Sequence, residues 1–271
     1  MGKNEVVLID VEKVAMKATG GKKLPKFVIN FLKKFVHEED FNTYFREGTL
    51  GYEFIEGFLN YIDVKVDVFG EENIPEGKLL TFASNHPLGG VDAGFETGWF
   101  ARRYNGKLAV PANDFMMSVK QVGEYLIPVN KMGRQGRGLG AILDEAFTSA
   151  KQILFFPAGL CSRRINGVIT DLPWKKTFIT KSRETKRDIV PVWFSGRNSR
   201  RFYFISDLCR ILKLKTNYAM FTLPDELFRC RGKRFKMVIG KPIPWQTFTD
   251  EKSDLEWSNY VREQVYALKQ D

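Results

Sequence analysis

The sequence is poor in the residues that build many catalytic centres. It holds two histidines, His37 and His86, and three cysteines, Cys161, Cys209 and Cys230. An odd cysteine count without ligand spacing argues against a disulfide framework and suits a reducing compartment, the cytoplasm. The same scarcity argues against a metal centre, which needs several convergent His, Cys or carboxylate ligands. No Gly-x-x-x-x-Gly-Lys-Ser/Thr run is present, which removes P-loop chemistry, and Gly133, Gly136 and Gly138 have the wrong spacing for a dinucleotide fingerprint. No Gly-x-Ser-x-Gly elbow offers a serine nucleophile. No apolar run reaches the ~18–20 residues of a membrane-spanning helix, so any membrane contact is expected to be peripheral. The first residues lack the apolar core of a signal peptide, and Val6 stands where myristoylation wants Ser or Thr.

What is present is a chain of 271 residues with 44% hydrophobic and 27% charged side chains, enough for a packed core. The net charge of +10 favours polyanions: nucleic acid, anionic lipid headgroups or phosphate-bearing substrates. Residues 1–60 read as a helical leader. Within it Phe27, Phe31 and Phe35 recur at four-residue steps with Lys26, Lys33 and Lys34 between them, the pattern of a basic amphipathic helix. Such a helix either lies on a membrane or packs its apolar side on the main domain. His37, amid Glu38, Glu39 and Asp40, reads as a solvated cap.

Residues 61–271 read as one α/β domain. Strand patterns at 64–68, 79–83, 108–112, 125–129, 152–156, 189–194 and 236–244 alternate with helical stretches at 93–104, 115–122, 139–150, 174–181 and 251–269. The alternation predicts a mostly parallel mixed sheet flanked by helices.

The apolar run Leu79–Ala83 leads into Ser84-Asn85-His86-Pro87-Leu88-Gly89-Gly90-Val91-Asp92. Asn85, Pro87 and the paired glycines break the run, so His86 sits where a strand ends and a turn begins. A neutral imidazole takes up a proton near neutral pH, and a carboxylate on its other nitrogen fixes the tautomer. Three further strands end in polar, Gly-bearing loops carrying Lys131 and Arg134, Arg163 and Arg164, and Ser195 and Arg197. If these ends share one sheet edge, a His-Asp pair faces cations across a cleft, which suits an anionic substrate with a hydroxyl to activate.

Taken in order, these blocks resemble the glycerophospholipid O-acyltransferase superfamily of the lysophosphatidic acid acyltransferase type. Within it the chain looks most like the branch with hemolysin-related and ornithine- or glycine-lipid acyltransferases. Asn85-His86 followed by Asp92 is similar to the first family block. Ile127–Arg134 is similar to the second, Phe156–Arg163 to the third (Phe-Pro-Glu-Gly-Thr-Arg-Ser in the family), and Val190-Pro191-Val192 with Ser195-Gly196 to the fourth. Two departures stand out. The aspartate lies six residues after the histidine instead of five. Ala158 and Leu160 replace the family's Glu and Thr, positions tied to acceptor recognition, which favours a lysolipid other than a glycerol phosphate, such as an acylated amino acid.

The resemblance implies acyl transfer from acyl-ACP or acyl-CoA, as co-substrate, to a lysolipid hydroxyl, with no other cofactor and no metal. His86 would be the general base and Asp92 its partner. Backbone N–H groups near Gly159 and Leu160 would stabilise the oxyanion. Lys131, Arg134, Arg163 and Arg164 would hold an anionic group of donor or acceptor. The implied partners are an acyl carrier protein or coenzyme A thioester, a lysolipid, and the anionic inner face of the cell membrane, bound peripherally. Two rival readings remain at this level. One is a basic nucleic-acid-binding module using the aromatic and basic stretches Trp193–Arg201 and Phe228–Phe235. The other is a non-catalytic membrane-surface protein on the same fold.

Overall fold

The structure is a computed structural model that describes residues 8–112, 119–129, 138–214 and 218–270. The leader folds into four helices: α1 (Val11–Ala18), α2 (Lys26–Phe35), α3 (Glu38–Phe45) and α4 (Gly51–Tyr61). The rest alternates strand and helix: β1 (Lys65–Phe69), β2 (Leu80–Ser84), α5 (Val91–Arg103), β3 (Leu108–Ala112), β4 (Leu126–Pro128), α6 (Gly138–Thr148), β5 (Gln152–Phe155), β6 (Arg163–Ile165), β7 (Val168–Thr170), α7 (Thr177–Glu184), β8 (Asp188–Phe194), α8 (Arg200–Ile211), α9 (Leu223–Phe228), β9 (Arg234–Ile239) and α10 (Asp254–Ala267).

Among the described residues, seven strands form one sheet in the order β1-β9-β8-β2-β5-β3-β4. Every pairing in it is parallel except β8 with β9. The expected mostly parallel, mixed α/β sheet is therefore what forms. Its central strands are mostly apolar because helices cover both faces. Alternate residues serve opposite sides: Phe82 and Val190 face a core shared with α4 and α5, while Ala83 and Ile189 face one shared with α6, α7 and α10. Tyr44, Phe45, Phe54 and Phe58 of the leader lie in the first of these cores, so α3 and α4 close one face of the sheet. A capping box between Ser253 and Glu256 starts α10.

Several sequence expectations are corrected here. His37 does cap α3, but its side chain is only 25% exposed. Its ring stacks on Phe228 at 4.2 Å, and its nitrogens lie 3.3 Å from Asp40 and 3.2 Å from Asp225. Asn166 and Gly167 form the tip of a short antiparallel hairpin, β6–β7, which the strand patterns do not include. Trp174 precedes α7 and is buried. Half of the expected helix at 115–122 lies outside the described residues; 120–122 is a single 3-10 turn. The stretch after Ser199, in which periodicity shows no clear element, holds α8, a 3-10 turn at Tyr218–Thr222, and α9. The rings of Trp193, Phe194, Phe228 and Phe235 are core residues, so those stretches present no aromatic platform to a nucleic acid.

Arg187, just before β8, is fully buried. Its guanidinium donates to the carbonyls of Phe147, Ser149 and Lys151 at 2.7–2.9 Å, and burial pulls it down to about 10. It satisfies backbone acceptors that the end of α6 leaves open.

Candidate active site

Parallel pairing of β8, β2 and β5 puts three strand ends side by side, so the loops that follow share one edge. Asn85, the first residue past β2, locks this edge. Its amide accepts from the Phe194 N–H at 2.6 Å and donates to the Phe194 carbonyl at 2.9 Å, acting as one more peptide in the ladder. The chain then turns through Gly89, whose φ of +88° a side chain rarely tolerates. A Cβ there would also sit 3.2 Å from Cys161. Two residues later α5 begins.

This turn brings His86 Nδ1 to 3.1 Å from Asp92 Oδ2. The fifth residue between them, one more than in the family pattern, is absorbed in the glycine turn. Asp92 is completely buried. Its oxygens also accept the N–H groups of Leu88 at 3.0 Å and Ala93 at 2.9 Å, in the first turn of α5 where the helix dipole favours an anion. Burial alone would raise this carboxyl. The charge and hydrogen bond of His86, with the two backbone donors, outweigh burial and hold it below the ordinary aspartate value. An ionised Asp92 on Nδ1 makes that nitrogen the N–H donor and leaves Nε2 with a lone pair. Nε2 has no hydrogen-bond partner among the described residues, and the side chain is 13% exposed. The ring packs at 4.6 Å on Phe156, from the turn after β5.

The backbone of His86 is fixed separately. Its N–H donates to both oxygens of Asp171 at 3.2 and 3.3 Å, and its carbonyl accepts from the Ser162 N–H at 2.7 Å. Asp171 also accepts from Ser162 Oγ at 2.6 Å and Trp174 Nε1 at 3.0 Å. Burial raises its pKa despite these donors. Asn198, after β8, donates to the Leu88 carbonyl at 3.2 Å. Behind the pair, Ser84 Oγ donates to Glu96 Oε1 at 2.8 Å. Glu96 is fully buried and pushed well above the usual carboxylate range by burial and by the nearby Asp92 charge.

The sequence motifs do not reveal Asp171, Asn198 or Glu96. Glu96 had a signal, since it lies four residues after Asp92 on α5 and so on the same face. Asp171 and Asn198 had none, because they reach His86 and Leu88 across 85 and 110 residues.

The other expected site residues are placed differently from one another. Gly159 lies in the turn after β5, where its N–H donates to the Phe156 carbonyl at 2.9 Å; Leu160 follows it. Arg163 is buried. Its Nη1 donates to the Cys161 carbonyl at 2.5 Å, and its guanidinium lies 5.0 Å from the Phe202 ring. Arg164 donates from Nε to Asp207 on α8 at 2.8 Å. Both arginines thus tie the hairpin to α8, and neither bonds to His86 or Asp92. Lys131 and Arg134 lie outside the described residues. Also among the described residues, no group of three His, Cys, Asp or Glu side chains converges to hold a metal ion.

A family described as acyltransferase matches residues 11–271. The chain belongs to this acyltransferase family. Relatives of nearly equal length are two lyso-glycine lipid O-acyltransferases. That of Bacteroides thetaiotaomicron is 45% identical over 99% of this chain and 100% of its own. That of Phocaeicola vulgatus is 43% identical over 99% and 98%. The crystal structure of the 1-acyl-sn-glycerophosphate (LPA) acyltransferase PlsC from Thermotoga maritima aligns with 80% of this chain and 75% of its own, at 18% identity and a TM-score of 0.48. In the described geometry one ring nitrogen of His86 is held by a buried anion and the other has no hydrogen-bond partner among the described residues, an arrangement consistent with a His-Asp catalytic dyad.

Proposed function

We propose that this acyltransferase moves a fatty acyl group from acyl-ACP or acyl-CoA to the hydroxyl of a lyso-glycine lipid. The observation that carries the reading is the 3.1 Å His86–Asp92 pair at the shared end of three parallel strands. The two lyso-glycine lipid relatives support the acceptor. So does the turn after β5, where Ala158 stands in place of the family's acidic residue.

In the proposed reaction His86 Nε2 takes the acceptor hydroxyl proton as that oxygen bonds to the thioester carbonyl carbon. Asp92 stabilises the imidazolium so formed. The tetrahedral oxyanion collapses, the carbon–sulfur bond breaks, and the imidazolium returns its proton to the leaving thiolate. The products are an ester and free ACP or CoA thiol. With the Gly159 N–H closing its turn, the amide of Leu160 is the oxyanion donor in this reading. Lys131 and Arg134, in the basic segment that follows β4 in the sequence, are proposed to hold the acceptor carboxylate that an N-acylated glycine retains. The leader helices α1 to α4 and the positive net charge fit peripheral binding at the anionic cytoplasmic face of a membrane.

The test is an assay of the purified protein with acyl-ACP and acyl-CoA against lyso-glycine lipid, lysophosphatidic acid and glycerol 3-phosphate. Ester formation in the first lane, abolished by His86→Ala, is the expected result. Transfer to lysophosphatidic acid alone would overturn the acceptor, and undiminished transfer by His86→Ala would overturn the mechanism.

A further inference from the structure

α8 has two faces. Phe202, Tyr203, Ser206 and Cys209 are buried, with Phe202 and Tyr203 in a small core beside Cys161 and Ala219. The opposite side carries Phe204, Leu208, Ile211 and Leu212, spaced as one stripe along the helix and all exposed. The 3-10 turn at Tyr218–Thr222 packs against α8 and extends the stripe with Tyr218 and Phe221, whose rings lie 6.2 Å apart. Phe204, Ile211 and Phe221 are 62%, 67% and 63% exposed. An apolar surface of this size on a water-facing helix marks an interaction site.

The charges around it indicate what covers it. Arg197, Arg200, Arg210 and Lys213 are exposed at the ends of the helix. The one carboxylate of α8, Asp207, is neutralised by Arg164 at 2.8 Å and approached by Arg210 at 3.5 Å. Apolar side chains flanked by cations complement an anionic bilayer, in which rings enter the acyl boundary and cations meet headgroups. Exposed apolar residues of α2 also lie near the start of α8. Arg201 at the start of α8 lies 5.1 Å from the Phe35 ring, Phe35 stacks on Phe31 at 5.9 Å, and Phe31 and Phe27 are exposed.

We propose that the stripe on α8 and the adjoining 3-10 turn is a membrane-seating surface that holds the active site against an anionic bilayer. The arm bearing it lies directly on the catalytic turn. A Cβ at Gly89 would sit 3.4 Å from the Leu223 side chain, and one at Gly90 3.3 Å from Leu227. Asn198, two residues before α8, binds the Leu88 carbonyl. Seating this arm on a leaflet therefore brings the His86 turn to the surface where a lysolipid resides. That consequence rests on the proposed acceptor class; the surface itself does not.

The experiment is co-sedimentation with vesicles of phosphatidylcholine, with and without phosphatidylglycerol. The triple variant Phe204→Ser, Ile211→Ser, Phe221→Ser should bind mixed vesicles at least about tenfold more weakly than wild type, since three rings and chains lose their burial. Its thermal midpoint and its transfer to a detergent-dissolved lysolipid should stay at wild-type level. A second variant, Arg200→Glu with Lys213→Glu, should lose the preference for phosphatidylglycerol, so the proposal stands or falls even if the triple variant does not fold. Unchanged vesicle binding by either folded variant overturns it. So does a wild-type dimer in analytical ultracentrifugation that the triple variant abolishes without losing vesicles, because the stripe would then cover a second copy. Wild type that binds vesicles but acylates no lysolipid defeats the proposed function and leaves this surface intact. Wild type that acylates dissolved lysolipid but ignores vesicles does the reverse.

Discussion

Replacing Asp92 by Asn tests the centre of the site with almost no change of shape. In the wild type, two carboxylate oxygens serve three donors: the His86 ring at 3.1 Å and the N–H groups of Leu88 and Ala93 at 3.0 and 2.9 Å. An asparagine has one acceptor oxygen. If that oxygen faces His86 and Leu88, its NH2 meets the Ala93 N–H and a buried donor is orphaned. If it faces Ala93, the NH2 meets Nδ1, forces the proton to Nε2, and leaves no base for the acceptor hydroxyl. The orphaned donor costs about 1–3 kcal/mol of stability, or a few degrees in Tm for a chain of this size. The loss of an oriented, anion-stabilised base costs about 10³-fold in kcat, close to 4 kcal/mol. Thiol release from acyl-CoA with saturating lyso-glycine lipid reads kcat, and circular dichroism reads folding. KM should change little, because Asp92 is fully buried and out of reach of a bound substrate. The pair also predicts a pH effect on stability. Asp92 is depressed in the folded state, so its contribution is complete above the unfolded value of about 3.9 and lost as pH falls through the lower folded value. Asp92→Asn should lack that acid-side loss. A folded Asp92→Asn protein that kept more than about a tenth of wild-type kcat would refute the general-base role assigned to the pair.

Asn85→Ala removes both partners of the buried Phe194 peptide, and denaturant unfolding should show a loss of about 2–4 kcal/mol together with reduced kcat; a loss under about 0.5 kcal/mol would contradict the link between β2 and β8. Gly89→Ala puts a side chain at φ +88° and 3.2 Å from Cys161, so Tm should fall with a cost of at least about 1 kcal/mol and kcat should fall with it; wild-type kinetics would show that the turn is not under that constraint. Glu96 has its folded pKa raised, so the wild type loses stability as pH climbs above the unfolded value of about 4.3, by up to about 1.4 kcal/mol per unit until the folded value is reached. Glu96→Gln should therefore match wild type near pH 4 and exceed it at pH 8 in thermal melts; a variant less stable than wild type at pH 8 would show that the carboxyl is needed as an anion.

Much of the fold was legible because it is written in local periodicity. Strands β2, β3, β4, β5 and β8 and the helices α5, α6 and α10 lie within a few residues of where the apolar spacing places them. Central parallel strands are apolar on both sides, and that makes them conspicuous. The hairpin β6–β7 is three residues a side and partly polar, and α9 is six residues long, too short for a periodic signal. α8 escaped notice because its exposed side is as apolar as its buried side, which blurs the amphipathic pattern.

The sequence alone determined the His86–Asp92 pair, since five intervening residues, two of them glycines, let a strand end and a helix start meet. It also determined the parallel sheet that places such a turn at a ligand-binding edge. Only the tertiary structure decided what holds that turn. Asp171, Asn198 and Asn85 join His86, Leu88 and Phe194 across 85 to 110 residues, and hydrogen bonds between groups so far apart in the chain leave no periodic trace. It alone also decided that Arg163 and Arg164 turn toward α8: a cation's sequence position fixes its loop, but the nearest acceptors, the Cys161 carbonyl and Asp207, fix where its charge goes.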